Sequence, residues 1–175
     1  MSLPILPIIT RVPRFDDERG WFMSSFHEDH PAKDWKMQNT SFSRKNTLRG
    51  LHFQSPNSQA KLITVIDGEI TDVVLDIDPA SETFGQWQIF QLSSADSSLP
   101  NQIYIPSHYA HGFAVTSESA LVSYLTDELY HPEAERSIHP LSPSLNIPWC
   151  VENPIISAKD SQADMWDLTE SNKSL

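Results

Sequence analysis

Apolar and polar residues alternate along most of this chain in short runs bounded by Gly, Pro, Asn or Ser, which is the period of half-buried strands rather than of helices. The pattern predicts strands at 21–26, 38–43, 48–54, 84–92, 102–105, 111–116 and 120–125. Two longer runs at 61–66 and 69–77 are separated by Asp67-Gly68, and Asp-Gly supplies the positive φ angles of a tight turn, so they are expected to form a hairpin. The apolar start at residues 1–9, interrupted by Pro4 and Pro7, reads as an edge strand. Helical patterns are few: one at 28–36, and a turn opened by Ser157 with Asp160 three residues on, in the form of a capping box. Many evenly spaced short strands predict an all-β jelly-roll barrel or sandwich with a few short helices, with the ligand pocket between the sheets. The length of 175 residues suits one domain across the whole chain.

Composition narrows the function classes. Twelve basic against 23 acidic residues give a formal charge of −11, the wrong sign for a binder of nucleic acid or anionic membrane. Five Trp, four Tyr and eight Phe are too many for a disordered chain, and no apolar run approaches the roughly 18 residues of a membrane span. The single Cys150 leaves no intrachain disulfide, which fits a reducing cytoplasm. The charge is also uneven. No Lys or Arg occurs between Lys61 and Arg136, so an anionic ligand has to be held largely by the N-terminal third, where Arg49 and Lys61 flank His52.

The segment Leu48-Arg49-Gly50-Leu51-His52-Phe53-Gln54 carries a cation and an imidazole three residues apart. In a regular strand an odd separation puts them on opposite faces, and Gly50 offers the bulge or close approach that would bring both to one pocket. The competing reading is a satisfied core histidine beside a surface arginine. In the 69–77 strand, Thr71, Val73, Leu75 and Ile77 share one face while Asp72 and Asp76 flank Val74 on the other. A buried carboxylate needs a partner, and Asp72 accepting from the His52 Nδ1–H would fix the tautomer and raise the basicity of Nε2; a solvated Asp72 is the alternative. Alternation points Tyr124 inward with Ala120 and Val122. His108 and His111, three apart, could join His52 as a metal set, but that spacing on a loop is weak evidence. Phosphate loops, nucleophile elbows and dinucleotide fingerprints are absent from a chain with only five glycines.

Read in order, Arg49-Gly50-Leu51-His52-Phe53-Gln54, Gln59-Ala60-Lys61-Leu62, Asp67-Gly68-Glu69-Ile70-Thr71-Asp72, Thr83-Phe84-Gly85-Gln86-Trp87, Ala110-His111-Gly112-Phe113, Tyr130-His131-Pro132-Glu133-Ala134-Glu135-Arg136 and Ser157-Ala158-Lys159-Asp160 resemble the dTDP-4-dehydrorhamnose 3,5-epimerase family. The resemblance runs from about Arg14 to Asp160. It implies a cupin jelly roll, a homodimer that exchanges N-terminal strands, and an isomerase needing neither metal nor other cofactor. Its substrate would be a nucleotide-diphosphate 4-keto-6-deoxy sugar inverted at C3, C5 or both. By the same resemblance His52 is the base, Asp72 its orienting partner, Tyr124 the acid, Lys61 the oxyanion cation and Asp160 a further catalytic carboxylate. Asn39, Arg49, His111 and Tyr130 would contact substrate, and Phe15 and Arg19 would reach the neighbouring subunit's nucleotide site. Ser24, Met37, His108 and Leu125 depart from the family pattern, and Gln54 stands where a metal cupin would place a second histidine. A sugar-nucleotide 3,4-ketoisomerase, and a cupin that binds sugar or metal without this chemistry, are the alternatives.

Overall fold

The computed structural model describes residues 6–26 and 34–167. In chain order the strands are β1 (Ile8–Thr10), β2 (Arg14–Asp17), β3 (Gly20–Met23), β4 (Met37–Arg44), β5 (Thr47–Gln54), β6 (Lys61–Asp67), β7 (Glu69–Asp76), β8 (Trp87–Ser93), β9 (Gln102–Ile105), β10 (Tyr109–Val115), β11 (Ser119–Thr126), β12 (Glu135–Ser137) and β13 (Ile155–Ile156), followed by a 3-10 turn at Asp160–Gln162. A five-stranded sheet runs β1-β9-β6-β11-β4 and faces a second sheet ordered β12-β5-β10-β7-β8, with β13 parallel to β5. This is the jelly roll that the strand pattern predicts, of the cupin type that the family resemblance implies. The β2–β3 hairpin pairs with neither sheet.

Alternation along each strand divides the apolar residues between two cores. Ile63, Val65, Ile103, Ala120 and Val122 of the first sheet meet Ile70, Val74, Phe113 and Val115 of the second inside the roll. On the outer face of the second sheet, Leu48, Leu51, Val73 and Leu75 are covered by the C-terminal segment through Ile138, Leu145, Trp149 and Trp166. The second sheet is therefore buried on both faces, and β7 is buried at every position but Glu69.

The hairpin expected over 61–77 does not form. β6 pairs with β9 and β11, whereas β7 pairs with β10 and β8, so Asp67-Gly68 is a corner where the chain crosses from one sheet to the other. Gly68 is still required: it has φ +84°, and a Cβ there would lie 2.1 Å from the Ser119 carbonyl oxygen. A corner and a hairpin both demand positive φ between strand-forming runs, and the local pattern does not distinguish them.

Other boundaries shift modestly. Of the edge strand read over 1–9, residues 1–5 lie outside those described and 6–7 are not in a strand; the edge strand β1 forms at Ile8–Thr10, paired with β9. The 21–26 strand ends at Met23, and the 84–92 strand begins at Trp87 because residues before it form turns around Asp76. The helix expected at 28–36 falls largely on residues outside the description, and 34–36 are not helical. Ser157 accepts from the Asp160 backbone N–H at 3.0 Å, half of the expected capping box. The Asp160 carboxylate goes elsewhere.

Candidate active site

Between the two sheets lies a cavity of about 330 Å³ into which His52, Lys61, Asn39, Arg49, His111, Tyr124 and Tyr130 all open. Arg49 and His52 reach the same cavity because β5 bulges between them. His111 stands opposite His52 and Phe113 opposite Arg49, so β5 fits three steps against two of β10. Gly50 sits in the bulge at φ +118°, and a Cβ there would lie 2.5 Å from Gly112 Cα and 2.8 Å from the His111 carbonyl oxygen. The close approach read from the sequence is what places cation and imidazole together.

The imidazoles do not pair as the sequence reading had them. Asp72, fully buried, meets His111 Nε2 at 2.7 Å through Oδ2, because Asp72 and His111 both point into the roll from adjacent β7 and β10. It is not the orienting partner of His52. That partner is Asp160, whose Oδ1 lies 2.6 Å from His52 Nε2. The engaged nitrogen is thus Nε2, not Nδ1. Burial acts to raise the Asp160 carboxyl, but the His52 imidazole, the Ser157 hydroxyl and the Gly50 N–H together bring it below the ordinary aspartate value.

Lys61 comes from the opposite sheet. Its ammonium is buried and donates to the His52 carbonyl oxygen at 3.0 Å, and burial pushes it down to about 8, opposed by the charges of Asp72 and Glu135. Tyr124, on neighbouring β11, projects inward as alternation predicts. Burial raises its phenol above the ordinary range, with Arg49 working against that and Glu135 adding to it. Arg49 donates through Nε to Ser43 Oγ at 2.9 Å, which leaves the guanidinium end for the cavity.

Glu135 escaped the sequence reading. It lines the cavity and accepts from both the Tyr130 hydroxyl and the Lys159 ammonium at 2.5 Å. It lies within the Tyr130-to-Arg136 motif, yet no alternation marks it, because β12 is only three residues long. Ser41, Gln59 and Thr126 also line the cavity unforeseen. Phe15 and Arg19 lie on the β2–β3 hairpin, outside the residues that line the cavity. Phe15 is exposed, and Arg19 pairs with Asp17 at 2.6 Å.

Of the residues that depart from the family pattern, only Met37 lines the cavity; Leu125 packs on the outer face of the first sheet with Leu62 and Tyr104, and Ser24 is exposed. His108 keeps negative φ and lies against the Tyr109 ring, 4.4 Å between centroids. The metal alternative does not assemble: His111 is engaged by Asp72, Gln54 hydrogen-bonds the backbone at Asn57, Leu129 and His131, and no group of three or more His, Cys, Asp or Glu among the described residues could hold a metal ion.

A jelly roll whose inner cavity carries two imidazole–carboxylate pairs and, across from them, a phenol and a buried ammonium defines a cupin-type isomerase of the acid–base kind. Known proteins make the class specific. The dTDP-4-dehydrorhamnose 3,5-epimerase family model matches residues 6–167. The dTDP-4-dehydrorhamnose 3,5-epimerase of Shigella flexneri is 42% identical over 83% of this chain and 83% of its own, and that of Methanothermobacter thermautotrophicus 38% identical over 87% and 85%. The Legionella pneumophila dTDP-6-deoxy-D-glucose-3,5-epimerase, solved in complex with dTDP-4-keto-L-rhamnose, superposes with a TM-score of 0.79 at 38% identity, covering 91% of this chain and 92% of its own. The chain belongs to the dTDP-4-dehydrorhamnose 3,5-epimerase family.

Proposed function

We propose that the protein inverts C3, C5 or both of a dTDP-linked 4-keto-6-deoxy sugar by proton transfer through an enolate, without a cofactor. The observation that carries the reading is the placement of His52 and Tyr124 on facing sheets across one cavity, with Lys61 beside them. The hydrogens at C3 and C5 are acidified by the adjacent C4 carbonyl. With Nε2 held by Asp160, the His52 lone pair sits on Nδ1, which takes the C–H proton while the electron pair moves onto the carbonyl oxygen. The Lys61 ammonium stabilises that oxygen, and the Tyr124 hydroxyl returns a proton to the opposite face, inverting the centre. Arg49 and Asn39 hold the substrate, and His111, fixed by Asp72, presents a rigid imidazole to the same sugar.

We place the protein in the cytoplasm as a homodimer. In that reading residues 1–175 form one domain whose N-terminal strands are exchanged with a second copy, and Phe15 and Arg19 complete the partner's nucleotide site. The exposed Phe15 and Phe22, directly opposite each other on one face of the β2–β3 hairpin, support it, since an exposed aromatic pair of this kind favours burial against another chain. Incubating a dTDP-linked 4-keto-6-deoxyhexose with the protein in deuterated water tests the activity. Deuterium at C3, at C5 or at both supports epimerisation and says which centre reacts, and deuterium at neither contradicts it.

A further inference from the structure

Glu135 joins two parts of the site that are otherwise separate. On one side it accepts from the Tyr130 hydroxyl, on the wall of the cavity. On the other it accepts from Lys159, the residue immediately before Asp160, on the turn that delivers the His52 partner. Its own backbone is fixed by pairing with Gln54 of β5, two residues from His52. Burial works to raise the Glu135 carboxyl, yet the two hydrogen bonds outweigh it and leave the group below its ordinary value, so it is a carboxylate holding two donors. We infer that Glu135 is a positioning residue of the reaction, strapping the Asp160 turn through Lys159 and holding the Tyr130 proton away from the substrate. This rests on the reading of His52 as the base.

The strap explains why two phenols in one cavity are not equivalent. The Tyr130 hydroxyl is committed to a carboxylate, whereas the Tyr124 hydroxyl has no hydrogen-bond partner among the described residues. Only Tyr124 is therefore ready to donate. The main chain around Tyr130 does not depend on Glu135, because the Gln54 side chain donates to Leu129 O at 3.1 Å and accepts from the His131 N–H at 2.8 Å. Loss of the carboxylate frees the phenol and the Lys159 turn without unfolding the segment.

Steady-state kinetics and deuterium wash-in on Lys159→Met, Lys159→Arg, Glu135→Gln and the double variant Lys159→Met/Glu135→Gln test this. Lys159 is exposed, so its variants should fold. Misplacement of a reacting group by about 1 Å can cost on the order of 100-fold, so Lys159→Met and Glu135→Gln are each expected to lower kcat about 10-fold or more with KM changed less than about 3-fold. Lys159→Arg restores the ion pair and should recover most of kcat. Two residues acting through one contact should not multiply, so the double variant should fall no further than the worse single. A rise in KM at constant kcat, multiplicative losses, or unchanged kinetics would overturn the inference. If wild-type protein itself shows no wash-in, the base assignment fails instead, and the two failures are thereby distinguished.

Discussion

His52 and Asp160, separated by 108 positions in the chain, meet at 2.6 Å through Nε2 and Oδ1. The contact sets the tautomer of the imidazole, because a carboxylate at Nε2 keeps the proton there and leaves Nδ1 as the acceptor. Replacing His52 with Asn removes the acceptor, and wash-in should fall by the roughly 100- to 10,000-fold that a general base contributes. Asp160→Asn should leave measurable wash-in above that floor, since the imidazole persists in a poorer orientation. Asp72→Asn should act on His111 rather than on His52. It should raise KM more than it lowers wash-in at saturating substrate.

The state of Lys61 gives the reaction an alkaline limit. Its ammonium is lowered to about 8, and only the charged form stabilises an oxyanion, so kcat/KM should decline as pH rises through about 8. The sign follows from which form works: protonated lysine is active, and raising the pH removes it. Lys61→Arg keeps its charge throughout this range, so any activity it retains should show no decline near pH 8. A decline that persists in Lys61→Arg would assign the limb to another group. Lys61→Ala, which removes one source of oxyanion stabilisation, should cost on the order of 100- to 1000-fold in kcat.

Gly50 is where backbone geometry and site assembly coincide. Any side chain there combines positive φ with a contact at 2.5 Å to the Gly112 backbone, and strain of this kind costs about 1–3 kcal/mol or more. Gly50→Ala should therefore lower the chemical-denaturation midpoint and, by shifting the bulge, reduce kcat further than the stability loss explains. Gly20→Ala is the comparison. It has similarly positive φ at 129° but nothing within 4 Å, so the smaller loss should be at Gly20.

These residues also show what the sequence disclosed. Strand alternation was enough to assign faces, because a strand has a strict period of two: Tyr124 inward, Val73 and Leu75 opposite Asp72. It was not enough to assign partners. Asp67-Gly68 satisfied every local condition for a hairpin, yet β6 and β7 belong to different sheets, since sheet membership depends on strands distant in the chain. The same limit produced the wrong partner for His52. Asp72 was the nearest buried carboxylate in sequence, whereas Asp160 arrives from a C-terminal turn, with only Ser157 to hint that the turn existed. Glu135 stayed hidden because its role comes from Tyr130 and Lys159 converging on it.

Phe15 and Arg19 have a use only if a second copy brings a nucleotide site to them. Sedimentation should give a dimer, and deletion of residues 1–20 should weaken both dimerisation and dTDP binding. Arg19→Ala alone should weaken dTDP binding while the dimer persists. A monomer with full activity would contradict the arrangement.

The central claim is that base and acid act from opposite walls of one cavity. It is tested most directly by comparing deuterium wash-in with epimer formation in Tyr124→Phe. Removing the hydroxyl leaves His52 able to take the proton and return solvent hydrogen to the same face, so wash-in should continue while net inversion falls by the roughly 100-fold or more expected of a lost general acid. Equal loss of wash-in and inversion would contradict Tyr124 as the dedicated proton donor on the far face.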